Sequence, residues 1–293
     1  MIYEITHVTA YSYESPVASG YSRLRVTPRQ TADQQVISST LDINPTPAEI
    51  IERVDFFGNR VHVVRLDVPH SELDIEARSR IVVERRQAPA GGLTRPWEEV
   101  ASDVLAAPSL DGTSPVHFVY SSRYVPPYEP ATRYARDSFA PGRPVLEAAI
   151  ELMTRIRKDF RYDPGSTDIS TPLAQAFEER GGVCQDFAHI MLSGLRGLGL
   201  SAAYVSGYIR TIPPRGKPRL VGADASHAWV SIWCGSEFGW IGLDPTNALI
   251  VSDDHIEVAI GRDYSDVSPV GGVFVGSGKN SLTVSVDVLP VGP

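Results

Sequence analysis

Cysteine is scarce in this chain: Cys184 and Cys234 are the only two in 293 residues. That is far too few for a disulfide framework, and it fits a reducing compartment in which a free thiol survives. Long apolar runs are missing too. No stretch approaches the roughly 18 consecutive apolar residues of a membrane helix, so a membrane-spanning protein is not expected. The N-terminal MIYEITHVTAYSY alternates polar and apolar residues without the basic stretch and apolar core of a secretory signal, and the expectation is a cytoplasmic protein. Nor is there a basic block. With 27 Lys and Arg against 35 Asp and Glu the formal charge is −8, and the positive footprint required by DNA or RNA is absent. GSGKN around Lys279 falls short of a phosphate-binding loop and lies in a β-type tail, so no nucleotide or other cofactor is implied. Internal repeats are absent as well.

What is present reads as a packed protein of two domains. The apolar fraction is 42%, the charged fraction is 21%, and the length exceeds that of a typical single domain. Residues 1–90 alternate with period 2 through RLRVTP, VISSTLDI, RVHVVRLDV and LDIEARSRIVVE, the last putting Leu73, Ile75 and Ala77 on one face. Gly58-Asn59 sits where a hairpin turn belongs, because both residues tolerate positive φ. An antiparallel β-rich domain follows. Over residues 91–143 the composition shifts to Pro, Gly and Ser, as in AAPSLDGTSP and YVPPYEP, which reads as a connection without long helices or central strands.

Residues 144–260 read as an α-then-β core and 261–293 as a closing β segment, giving an α+β chain. Pro144 opens RPVLEAAIELMTRIRKDF, with Val145, Ala149, Leu152 and Ile156 at helical spacing. Thr171 is placed to cap a second helix, with Pro172 at its first position and Gly181 beyond its end. The chain then reaches Gly182-Val183-Cys184. From there Cys184, Phe187, Met191, Leu195 and Leu198 form one helical stripe, so Cys184 starts a helix with a buried face. The strands SAAYVSGYI, SHAWVSIW and FGWIGLD follow. In the tail, Leu282, Val284, Val286 and Val288 alternate.

Gly235-Ser236 between two strand-like runs reads as a two-residue type II′ turn with Gly first. Pairing Cys234 with Glu237 would put His227 directly opposite Asp244, close enough for the carboxylate to hold the imidazole's tautomer. Cys184 completes a triad. At a helix start the exposed N–H groups favour a thiolate and can receive the developing oxyanion of acyl transfer. His227 would take the thiol proton while Asp244 orients the ring. The charge of Asp186, in the same first turn, works against the thiolate.

GGVCQDFAHIMLSGLRGLGLSAAYVSGYI, SHAWVSIW and GWIGLDPTN, in that order, resemble the bacterial transglutaminase-like cysteine peptidases over about residues 145–260. The β-rich front half resembles the region often found ahead of that core. The resemblance implies a papain-like α+β core and Cys-His-Asp chemistry on amide bonds, carried by Cys184, His227 and Asp244. It also implies a further oxyanion donor, for which Tyr162 in DFRYDPG is the candidate because its hydroxyl can donate.

Competing readings come from the same residues. Cys184 could be a small core residue. Zinc accepts Cys, His and Asp, but no C-x-x-C or H-E-x-x-H pair supplies two ligands from one element, and no metal is expected. Asp186 and His189, three apart on one face, are expected to pair with each other. Cys234 reads as a structural or semi-exposed bystander. Trp229, Trp233, Trp240 and Tyr208 read as core or edge packing before groove lining. The Pro- and Arg-rich loop from Thr211 to Asp224 is a candidate substrate rim. The expected activity is a peptidase or amidase acting on peptide or protein substrates through a Cys184 acyl-thioester. The alternatives are a protein-glutamine acyl-transferase with the same triad and a non-catalytic binding module that keeps the core.

Overall fold

The computed structural model describes residues 1–211 and 225–292, so the candidate rim loop, apart from Thr211, lies outside the described residues. The front half is built from β1 (Ile2–Val17), β2 (Ser19–Leu24), β3 (Gln34–Asn44), β4 (Glu49–Val54), β5 (Arg60–Leu66) and β6 (His70–Val83). β6 alternates as expected, with Leu73, Ile75, Ala77, Ile81 and Val83 buried. RLRVTP is strand only as far as Leu24. The Gly58-Asn59 turn joins β4 to β5. Gly58 has φ +80°, and the Asp55 carboxylate accepts the Phe57 and Asn59 N–H groups at 3.0 Å.

After β6 come α1 (Trp97–Val104), α2 (Glu129–Arg136), α3 (Val145–Asp159), β7 (Arg161–Tyr162), α4 (Leu173–Glu179), β8 (Gly181–Gly182) and α5 (Cys184–Gly197). Then follow β9 (Ala202–Ile209), β10 (Ala225–Trp233), β11 (Trp240–Asp244), β12 (Leu249–Ile250), β13 (His255–Gly261), α6 (Tyr264–Val267), β14 (Val270–Val275) and β15 (Asn280–Val291). The stretch 91–143 is more than a connection. It contributes Val100, Val125, Ala131, Ala135 and Phe139 to the main core, because short apolar pairs on α1 and α2 suffice to bury one face of an eight-residue helix. At Gly197 of α5 an added Cβ would lie 1.9 Å from Thr132 Oγ1, so α2 crosses α5 at a distance that only glycine permits.

Three antiparallel sheets result, in the orders β15-β1-β6-β3, β14-β2-β5-β4 and β12-β11-β10-β9-β13. The first two face each other over Leu24, Val26, Val64, Leu66, Leu73 and Ile75, which closes a β sandwich. The third carries α5 on one face, where Ala228, Val230, Ile232 and Leu243 meet Phe187, Met191 and Leu195. Its β13 edge packs on the sandwich through Tyr3, Ile5, Ile81, Val83, Ile256 and Val258. Val286 and Val288 of β15 join that seam and are buried, whereas Leu282 and Val284 on the same strand are exposed. Polar clamps fix the junction. Asn59, fully buried, donates to Ile260 O and accepts from Ile260 N at 2.8 Å each, and Gln34 does the same with the Glu257 backbone.

Candidate active site

The approach to Cys184 is set by two unusual backbone positions. Pro172 is the residue before α4, not its first turn, and the left-handed residue that ends the helix is Arg180 (φ +51°), one earlier than the glycine expected for that role. The Arg180 guanidinium offsets the cost by covering the Phe160 and Phe177 rings at 4.7 and 4.6 Å. Gly182 follows with φ +151°. A Cβ there would stand 2.5 Å from Asp186 Oδ2. That oxygen accepts the Val183 N–H at 2.8 Å and the Thr167 hydroxyl at 2.7 Å, so Asp186 closes the first turn of α5. The expected Asp186–His189 pair does not form, because capping at three residues' spacing satisfies the carboxylate locally. His189 is buried, its Nε2 accepts the Tyr264 N–H at 3.3 Å, and its ring stacks on Tyr124. Burial pushes its pKa down to about 4.

β10 and β11 pair with Trp233 opposite Trp240 and Ser231 opposite Gly242, two residues away from the register that a Gly-Ser turn would give. The turn spans Gly235–Phe238, since Cys234 N–H donates to Gly239 O and Gly239 N–H to Gly235 O, both at 2.8 Å. Asp244 therefore lies at the level of Trp229. A slip of two preserves the face each side chain points to, whereas a slip of one would have reversed it. His227 and Asp244 meet diagonally, Nε2 donating to Oδ2 at 2.8 Å.

Asp244 is completely buried and accepts five hydrogen bonds. Oδ1 takes the Thr246 and Asn247 N–H groups at 2.9 and 3.2 Å; Oδ2 takes His227 Nε2, Asn247 Nδ2 at 2.8 Å and His255 Nε2 at 3.2 Å. Neither Asn247 nor His255 figured in the sequence reading. Asp-Pro-Thr-Asn carries an Asx-turn signal that could have found Asn247. His255 comes from β13, which pairs with β9, and no local pattern announces it. His227, Asp244 and His255 bring three potential metal-ligand atoms within 4.8 Å of one another. The donor set is nonetheless that of a hydrogen-bond hub. His255 Nδ1 accepts the Ser252 N–H at 3.4 Å, which leaves Nε2 protonated toward Asp244, and the carboxylate lone pairs are already engaged by N–H groups.

Burial opposes charge on His227, but hydrogen bonds with Asp244 and with the Cys184 thiol outweigh it and push the imidazole pKa up to about 10. Burial likewise opposes charge on Asp244, and the His227 and His255 donors overcome it and hold the carboxyl far below its usual range. The raised His227 stabilises the fold fully below its unfolded value of 6.5 and progressively less as pH climbs to about 10; the depressed Asp244 does so above 3.8 and fails below it. The pair therefore contributes most between those two values. In urea titrations the stability gap between wild type and His227→Ala is expected to narrow steadily from pH 6.5 to 10, and a constant gap would count against the pairing.

Cys184 is partly exposed, at the first position of α5, with His227 close enough to its sulfur for each to bias the other's charge. As the first helical residue its N–H has no acceptor within the helix and faces outward. Tyr162 is brought alongside because β7 pairs with β8 in parallel, Tyr162 next to Gly182. Its ring meets the Phe187 edge and stays half exposed, and burial together with the nearby Cys184 raises the pKa of its hydroxyl, which keeps the proton available for donation. Cys234 is buried among the core residues, its thiol pushed up to about 12 by burial. Trp229 and Trp240 line a separate cavity of about 660 Å³ between sandwich and sheet, with Arg29, Arg85 and Glu257. Tyr208 is buried, its hydroxyl bonded to His7 at 2.7 Å.

Comparison with known proteins agrees with this architecture. Residues 3–82 match the bacterial transglutaminase-like N-terminal region and residues 132–245 the transglutaminase-like superfamily. An uncharacterized protein of Mycobacterium tuberculosis is 40% identical, with 98% of this chain and 92% of that protein covered. The chain belongs to the bacterial transglutaminase-like family. A second family relative, an uncharacterized protein of Mycobacterium leprae, is 30% identical over 97% of both chains. The crystal structure of a candidate cysteine protease from Cytophaga hutchinsonii superposes with a TM-score of 0.74 at 21% identity, covering all of this chain and 92% of that one, and so shares the transglutaminase-like fold. Among the described residues no helix is long and apolar enough to cross a membrane.

Proposed function

We propose that the protein is a cysteine hydrolase acting on peptide or glutamine-type amides through an acyl-thioester on Cys184. The observation that carries this reading is His227 held between the Cys184 thiol and the Asp244 carboxylate at the start of α5. In the proposed cycle His227 accepts the thiol proton and sulfur adds to the amide carbonyl. The oxyanion is received by the Cys184 N–H and the Tyr162 hydroxyl, and collapse transfers the proton from His227 to the departing amine. Water activated by His227 then hydrolyses the thioester; a primary amine in its place would give acyl transfer. Two free thiols support a reducing, cytoplasmic setting for this chemistry. The test is incubation with a peptide-amide library, with and without a biotinylated alkylamine, followed by mass spectrometry. Acyl adducts confined to Cys184 and release mainly to water are expected. Dominant amine adducts would make the protein an acyl-transferase, and the absence of any adduct on a reactive Cys184 across the library would point to a binding module.

A further inference from the structure

The structure assigns His255 as a positioning residue for this site: its imidazole donates Nε2–H to Asp244 Oδ2 and so fixes the oxygen that orients His227. The inference rests on the Cys184–His227 reading proposed above.

Three observations single out His255. Its side chain is 1% exposed, so it serves no solvent-facing role. Its tautomer is set from behind, by the Ser252 N–H donating to Nδ1, so that the proton lies on the nitrogen facing Asp244. And its location is fixed from two sides: the ring meets the Trp229 ring edge-on at 5.3 Å, and Arg85 of the sandwich donates to the His255 carbonyl at 3.1 Å. Trp229 is itself buried, so the ring cannot drift.

The geometry gives the donor a specific task. The Asx turn at Asp244 is made by Thr246 and Asn247, residues of the same loop, and it would move with that loop as one body. His255 is the donor to Asp244 that comes from the opposite edge strand of the sheet, β13. Since β13 is bonded to β9 and β9 to β10, His255 ties the carboxylate on β11 to the strand system that also carries His227. Without that bond Oδ2 keeps Asn247 and His227, and β11 stays paired with β10, but the carboxylate loses the donor that holds it from the far edge of the sheet and is free to follow the His227 ring.

The test compares His255→Phe, which keeps a ring without the donor, with His255→Gln, whose amide can place an N–H near the Nε2 position. The readout is the pH profile of Cys184 alkylation in native protein. His255→Phe is expected to slow alkylation at pH 6 roughly tenfold and move the acid limb to higher pH, the size of coupling found between residues of one hydrogen-bond network. His255→Gln is expected to restore most of the rate. A Phe profile superimposed on wild type, a limb shifted to lower pH, or an equal loss in the Gln variant would overturn the assignment. The wild type supplies a measurement that does not depend on a variant folding: in protein labelled with ¹⁵N-histidine, His255 must carry its proton on Nε2, and an Nδ1–H form overturns the proposal. The two levels separate cleanly. Loss of reactivity in His227→Ala with a wild-type-like His255→Phe removes only the role of His255, whereas unchanged reactivity in His227→Ala removes the underlying reading.

Discussion

Replacing His227 by alanine is expected to slow iodoacetamide alkylation of Cys184 in native protein at pH 6 by about 10- to 100-fold. The reacting species is the thiolate, and an ordinary cysteine holds well under about 1% of it at that pH. In the folded protein the imidazole is strongly biased toward its protonated form, by Asp244 on one side and the Cys184 sulfur on the other. An imidazole beside a thiol can act as its base and so speed attack by sulfur. Without the imidazole, Cys184 retains only its place at the start of α5. Cys234 provides the reference within the same molecule: it is buried, burial raises its thiol to about 12, and it should label only after denaturation. Equal rates for wild type and variant at pH 6 would show that the two side chains do not act together.

The largest stability effect is expected at Asp244. Asp244→Ala removes the acceptor from five donors in a site closed to water, two of them imidazoles. Donors stranded in such a site cost far more than the net value of the bonds they made, and a loss of about 3–5 kcal/mol is expected in urea unfolding. Asp244→Asn should recover part of it, because one amide oxygen can still accept, but its NH₂ group must confront at least one N–H. The alanine variant should also slow alkylation of Cys184, since His227 would turn without its partner. A loss below about 1 kcal/mol would mean that the site admits water and that the hub is not closed as described.

The relation of these residues to the sequence is uneven, for reasons that can be named. Period-2 alternation exposed the sandwich strands because one face of each is buried. The start of α5 was readable because Gly-Gly, a cysteine and an apolar stripe follow one another. The turn that the sequence offers for bringing His227 to Asp244 is not the one that forms. Gly235-Ser236 offers a two-residue hairpin, yet Gly239 also accepts positive φ and a four-residue loop forms. His227 and Asp244 still share a face because strand periodicity is indifferent to a slip of two. Spacing alone offers His189 as the partner of Asp186, whereas the nearest unsatisfied groups are the N–H of Val183 and the hydroxyl of Thr167. His255 could not have been found in this way, since strand order within a sheet is a long-range property. The helices in 91–143 were obscured by the prolines that flank them, Pro96 before α1 and Pro130 inside the first turn of α2.

β14 and β15 pair with β2 and β1 across almost the whole length of the chain. The transglutaminase-like core is thus an insertion between β6 and β14 of the sandwich. On the ribosome the core's strands and helices can collapse on contacts of modest sequence separation, while β1 and β2 wait with open edges for partners made some 250 residues later, a separation that slows folding. A truncation ending at residue 261, which keeps every element of the candidate site, would leave those edges open permanently.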